Sequence, residues 1–248
     1  MKSTVRRQYR LLASVIALCL FAVIWPAHGQ SDPNESSCRA MIPHRSEAAL
    51  LRYEESGQYQ HDIKDAVDKA KTYLAQHSAE KGKLAMVLDI DETALSNWPQ
   101  LKADDFKFFL TGPCNISVDG TIRPPCGWNK WVALEKSLPI VPTLELYRQA
   151  RSHGVRVFFI TGRTEAQRAA TTANLQAAGY EGFAGEELVM QPNDPHPGSL
   201  VPFKTAARKA IADGGYTILL NVGDQYSDLS GDYAQKTIKL PNPFYCVP

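Results

Sequence analysis

Residues 83–93 read Lys83-Leu84-Ala85-Met86-Val87-Leu88-Asp89-Ile90-Asp91-Glu92-Thr93, and this stretch decides the fold. The run from Lys83 to Leu88 is short, apolar and charged at its ends. It is too short for a helix and suits a strand buried on both faces. It stops abruptly at Asp89. Two carboxylates two residues apart then stand at the carboxyl end of a buried strand, where open α/β sheets bind their ligands. Such a pair is also a common helix cap or solvated loop, so its weight depends on what surrounds it.

The same pattern recurs downstream. Val155 to Ile160 is almost wholly apolar and leads into Thr161-Gly162-Arg163. Tyr216 to Val222 leads into Gly223-Asp224-Gln225-Tyr226-Ser227-Asp228. Leu188 to Met190 reads as a short strand, and Thr237 to Leu240 as an edge strand ahead of Pro241. Between these runs the periodicity is helical. His61 to His77 places Ile63, Val67, Ala70 and Leu74 on one face. Helices are expected over Thr143 to Ser152, Glu165 to Ala178 and Phe203 to Ala212, each followed by a glycine stop. Strands alternating with helices predict an α/β fold: a Rossmann-like, mostly parallel sheet with helices on both faces.

Residues 92–140 differ in character. They hold Trp98, Trp128, Trp131, Phe106, Phe108, Phe109 and several prolines, without a long periodic element before Trp128. This segment is expected to be a small inserted cap. Trp128 and Trp131 lie three apart and share a helical face, either as cap core or as a stacking surface for an aromatic leaving group.

The first residues read as an address. Lys2, Arg6, Arg7 and Arg10 form a basic head, Leu11 to Trp25 carries no charge, and Ala27-His28-Gly29 offers small residues for cleavage. This predicts a signal peptide over 1–29 and a mature domain over 30–248, periplasmic or secreted. A spanning helix needs about 20 apolar residues, more than this run supplies, so no membrane attachment is expected after cleavage. Export suits the cysteines. Removing Cys19 leaves Cys38, Cys114, Cys126 and Cys246, an even set that reads as disulfides. Position favours Cys114–Cys126 within one loop and Cys38–Cys246 between the ends. No CxxC pair occurs, which sets a zinc site aside. A net charge of +1 argues against a nucleic acid polymer as partner.

Each acidic or polar motif is weak alone. Together they place Asp89, Asp91, Thr161, Lys204, Asp224 and Asp228 at one sheet rim. So many charges at one crevice would repel or go unsatisfied without a cation and an anion between them. In the stretches VLDIDET, VFFITGR, PFKTAAR and LNVGDQYSD, and in the closing KLPNPFY, the chain resembles the haloacid-dehalogenase superfamily. It is most similar to the acid phosphatases of subfamily IIIB, a branch of plant vegetative storage proteins and exported bacterial phosphatases. The resemblance spans about residues 45–248.

That resemblance implies roles. Asp89 would attack phosphorus and form an aspartyl-phosphate, and Asp91 would serve as general acid and then base. Thr161, Gly162 and Lys204 would hold the phosphoryl group. Mg²⁺ would be held by Asp89, the carbonyl of Asp91, and Asp224, with Asp228 ligating through water or orienting Lys204. The dehalogenase branch lacks an equivalent of Asp91, so its presence points to a phosphatase acting on small phosphomonoesters, nucleotides among them. Two rivals stand beside this reading: a non-catalytic storage or binding member, and a phosphotransferase using the same aspartyl-phosphate. Homo-oligomerisation is left open. Arg151-Ser152-His153-Gly154 resembles the motif of histidine acid phosphatases, but Ser152 interrupts it. His153 also precedes its strand, so it is expected to be a solvated helix end.

Overall fold

A computed structural model describes residues 46–194 and 198–247. The expected signal segment and Cys38 lie outside these residues. Two helices lead into the sheet, α1 (Glu47–Glu55) and α2 (Gln58–His77). Helix α2 buries Tyr59, Ile63, Val67, Ala70 and Leu74 along one stripe. Gly57, at φ +79°, makes the left-handed turn between the two helices. Helix α1 has no counterpart in the sequence reading because it buries a single residue, Leu50, and so carries no apolar period.

The first strand is β1 (Lys83–Leu88), buried throughout except at Lys83. Residues 92–140 then build their own small elements: β2 (Leu95–Ser96), α3 (Trp98–Ala103), β3 (Asn115–Ile116), β4 (Ile122–Arg123), α4 (Trp128–Leu134) and β5 (Leu138–Pro139). β2 pairs with β5 and β3 with β4, both antiparallel, and none joins the central sheet. The Cys114–Cys126 disulfide is formed at the base of the β3–β4 ribbon. Its two cysteines pack with Trp131 into a separate small core.

The remaining elements are α5 (Val141–Ser152), β6 (Arg156–Thr164), α6 (Arg168–Ala177), β7 (Leu188–Gln191), α7 (Val201–Asp213), β8 (Tyr216–Gly223), α8 (Tyr226–Leu229) and β9 (Ala234–Lys239). The sheet order is β7-β6-β1-β8-β9, and every pairing is parallel. Alternate side chains of the strands feed two cores. Met86, Leu88, Val157 and Phe159 pack with α2 and α5 on one face. Ala85, Val87, Phe158 and Ile160 meet Ala207 and Ile211 of α7 on the other. Helices therefore cover both faces, as the continuously apolar strands require.

The topology fixes where the chemistry sits. The chain lays down β1 in the centre, moves out through β6 and β7, then returns to β8 on the opposite side. This reversal opens a crevice at the carboxyl end of β1. The motifs after β1 and β8 and the end of β6 share that rim. One boundary differs from expectation. Strand β6 does not stop at Ile160 but runs through Thr161-Gly162-Arg163 to Thr164. Its pairing with β7 slips between Thr161 and Thr164, so Gly162 and Arg163 form a bulge. Bulges bend a strand and re-aim its side chains, and this one turns the motif into the crevice.

Candidate active site

The turn after β1 is tight. Asp89 extends the ladder, its N–H bonding the carbonyl of Val222 at 3.0 Å. The carbonyl of Ile90 accepts the N–H groups of Thr93, Ala94 and Leu95. Glu92 takes a left-handed backbone, φ +55°, which is uncommon for a residue with a side chain. Its carboxylate is fully enclosed and accepts from the Asn97 N–H at 2.6 Å and the Tyr245 hydroxyl at 2.5 Å. Burial, with Asp91 next to it, pushes the Glu92 carboxyl up to about 8. Glu92 is a structural strut that fixes the turn.

Asp89 is 6% exposed and Lys204 3%. Lys204, in the first turns of α7, donates to Asp89 Oδ1 at 2.6 Å and to Asp228 Oδ1. Burial alone would lower the Lys204 ammonium, but Asp228 and Asp89 overcome it and hold it above its ordinary value. Burial raises the Asp89 carboxyl well above the usual range, and Asp228 adds to this while Lys204 opposes it. Asp224 is pushed up to about 6 by burial and by Asp228. Thr93 Oγ1 donates to Asp224 Oδ1 at 2.8 Å.

Asp89, Asp224 and Asp228 each offer a carboxylate oxygen within 4.8 Å of the others. Three buried carboxylates around one ammonium leave an excess of negative charge. Such a group repels itself unless a cation joins it. The donors are all oxygens, the set a hard divalent ion prefers. The residues present therefore fit a metal ion. Asp228 does two things here. It belongs to the carboxylate cluster, and it holds Lys204 against Asp89, while its Oδ2 accepts the Gln225 N–H at 2.7 Å.

Asp91 has partners of its own. Its carboxylate is gripped by Arg163, with Nη2 at 2.6 Å from Oδ1 and Nε at 3.1 Å from Oδ2. Asn97 Nδ2 donates to the same Oδ1 at 2.9 Å. The guanidinium lies 5.6 Å from the Trp128 ring centroid and also reaches Thr171 Oγ1 at 3.3 Å. Thr161 is fully buried, its Oγ1 accepting the Arg163 N–H at 3.1 Å. At Gly162 a Cβ would meet Leu200 Cδ1 at 2.8 Å, so a side chain there would have to push the end of Leu200 aside.

The sequence-predicted groups Asp89, Lys204, Asp224 and Asp228 are thus brought together, and Asp91 stands in the same turn as Asp89, bonded to Arg163 and Asn97. Arg163 is visible in the sequence only as the end of the Thr161-Gly162-Arg163 motif, with no role attached. Asn97, the residue that joins the inserted segment to the rim, lies in no motif. Asn97 Oδ1 accepts from Trp131 Nε1 at 2.8 Å and from Ser137 Oγ at 2.7 Å. Trp131 is buried, while Trp128 is partly exposed beside Phe108 and Arg163. His153 ends α5, exposed, at the amino end of β6 and away from the rim. Cys246 is disulfide-bonded, and its expected partner Cys38 is outside the described residues.

An all-parallel sheet with buried carboxylates on adjacent turns and a lysine between them defines a phosphoryl-handling hydrolase of the haloacid-dehalogenase class. The chain belongs to the HAD superfamily, subfamily IIIB, the acid phosphatases, whose family model matches residues 28–248. It is accordingly a phosphoric monoester hydrolase by family. The chain is 34% identical over 209 residues to the stem 28 kDa glycoprotein of Glycine max, covering 83% of this chain and 76% of that one. It is 29% identical over 218 residues to acid phosphatase 1 of Solanum lycopersicum, covering 87% and 80%. The class C acid phosphatase of Bacillus anthracis shares the fold, with a TM-score of 0.63 at 22% identity over 81% of this chain and 86% of that one.

Proposed function

We propose that the protein hydrolyses small phosphomonoesters through an aspartyl-phosphate on Asp89. The observation that carries this reading is the buried cluster of Asp89, Asp224 and Asp228 with Lys204 bonded to Asp89. A carboxylate attacks a phosphoryl group only when the charge on both is offset. In the first step an Asp89 oxygen bonds to phosphorus and the ester P–O bond breaks. Asp91 gives its proton to the departing oxygen. In the second step water attacks the aspartyl-phosphate, Asp91 takes the water's proton, and inorganic phosphate leaves with Asp89 restored. Arg163 and Asn97 aim the Asp91 carboxylate for both transfers. Lys204, the Thr161 hydroxyl and the backbone at Gly162 hold the phosphoryl oxygens. Mg²⁺ would be held by Asp89, the Asp91 carbonyl and Asp224, with Asp228 beside them, and when bound it supplies positive charge against the phosphoryl oxygens.

Residues 92–140 act in this reading as a cap over the rim, with Trp128 and Phe108 placed to meet an aromatic leaving group such as a nucleobase. Export of the mature domain from residue 30 fits the formed Cys114–Cys126 bridge and the word glycoprotein in a relative's name. Among the described residues no helix is long and apolar enough to cross a membrane.

A second reading has one observation in its favour. Relatives from Arabidopsis thaliana at 32% and 29% identity are named vegetative storage proteins. The presence of Asp89 with its full set of partners favours the enzyme. Initial rates with p-nitrophenyl phosphate, with Mg²⁺, with EDTA and for Asp89→Asn, decide between them. Metal-dependent release lost in the variant supports the hydrolase. No release from folded, oxidised protein supports storage. Added alcohol separates the phosphotransferase: p-nitrophenol would then outrun inorganic phosphate.

A further inference from the structure

The closing segment KLPNPFY is part of the family resemblance. In the structure it returns to the rim. Leu240 N–H bonds the carbonyl of Gly223 at 2.8 Å, bringing the chain alongside the acidic turn after β8. Asn242 then reaches inward, its Nδ2 donating to Asp224 Oδ2 at 2.7 Å. Its other end is fixed as well. Oδ1 accepts the Phe244 N–H at 2.9 Å, with Tyr245 N–H behind it at 3.4 Å. The amide therefore has one sensible orientation, with its NH₂ toward the carboxylate. Beyond it, Phe244 is buried against Tyr59, Trp98 and Phe106. The Tyr245 hydroxyl bonds Glu92 of the first acidic turn, and Val247 N–H bonds Gln225 Oε1 at 3.0 Å. Gln225 Nε2 meets the same Asp224 oxygen from the other side at 2.5 Å.

We propose that Asn242 is a positioning residue of the metal site, held by the turn hydrogen bonds from the Phe244 and Tyr245 N–H groups so that its amide fixes the Asp224 carboxylate. This rests on the reading of Asp224 as a metal ligand. A neutral amide suits the position. It donates a hydrogen bond to a carboxylate without adding charge, whereas a lysine or arginine would compete with the cation. Groups that orient a ligand from behind commonly change metal affinity by about 10–100-fold when removed.

The test is Mn²⁺ binding to the purified oxidised protein by titration calorimetry, with no substrate present. Asn242→Ala is expected to weaken binding by about tenfold. Should that variant fold poorly, Asn242→Ser serves instead. Its hydroxyl can accept the turn hydrogen bonds but is too short to reach Asp224, and the same loss is expected. Ser227→Ala cuts the segment's bond at the Val247 carbonyl and leaves the Asn242 and Asp224 contacts in place, so its affinity should stay within about twofold of the parent. Equal weakening in Ser227→Ala would mean general loosening and would overturn the proposal, as would unchanged affinity in the Asn242 variants. Asp224→Asn separates the two levels. If it binds Mn²⁺ as tightly as the parent, the metal-site reading itself fails. If it loses binding while Asn242→Ser does not, only the present inference fails.

Discussion

Lys204 sits between the carboxylates of Asp89 and Asp228, and burial alone would drive Asp89 toward its neutral form. In the proposed mechanism, replacing Asp89 would remove the nucleophile but leave Lys204 its bond to Asp228. Asp89→Asn should therefore lose at least about a thousandfold in turnover with an unchanged circular dichroism spectrum. Arg163 makes a different prediction, because it acts through Asp91. A general acid matters most when the leaving oxygen is a poor leaving group. Arg163→Gln should cost an alkyl phosphate about tenfold more in kcat than p-nitrophenyl phosphate, read from initial rates on both. Equal losses would show that Arg163 does not work through the acid. Gly223 is limited by space: a Cβ there would press on Asp228, whose Cγ would lie 2.7 Å away. Gly223→Ala should lower both the unfolding midpoint and turnover, since Asp228 must move off Lys204. Asp89, Asp91, Asp224 and Asp228 were legible in the sequence because each follows an apolar run that announces a strand end. Asn97 and Asn242 were not. An asparagine that matters through one hydrogen bond to a distant turn leaves no period or motif.

Elements tell a similar story about what local pattern can carry. The five strands of the sheet were visible as apolar runs, though β9 begins at Ala234 rather than near Thr237 because only Ile238 among its residues is fully buried. Helices α5 and α7 each begin two residues earlier than expected, at Val141 and Val201. Pro142 and Pro202 look like barriers in sequence, yet both lie in a first turn, where no N–H is needed. The ribbon of β3 and β4 spans four paired residues and has little core of its own beyond Cys114, Cys126 and Trp131. A bridge closing a loop of 12 residues is worth about 3 kcal/mol through the unfolded chain. Replacing both cysteines by serine should lower the unfolding midpoint by about 5–10 °C. It should raise KM for aryl phosphates more than it lowers kcat, because the ribbon is not part of the sheet that holds Asp89. A fall in kcat alone would place the ribbon's influence inside the chemistry.

At the scale of the molecule, the excess negative charge at the rim couples metal binding to stability. A cation that binds only the folded chain adds about 2.7 kcal/mol at a hundredfold excess over its Kd. The unfolding midpoint should rise with Mg²⁺ and fall back with EDTA, and Asp224→Asn should flatten that response. A midpoint indifferent to the metal would argue against the site. The rim is also assembled from far corners of the chain. Lys204 meets Asp89 across 115 positions, Thr93 meets Asp224 across 131, and Tyr245 meets Glu92 across 153. Residues 242–247 are the last of these groups to leave the ribosome during synthesis. In the proposed mechanism a nascent chain would carry Asp89 long before the cradle around Asp224 could close, so turnover should wait for residues 242–247 to dock.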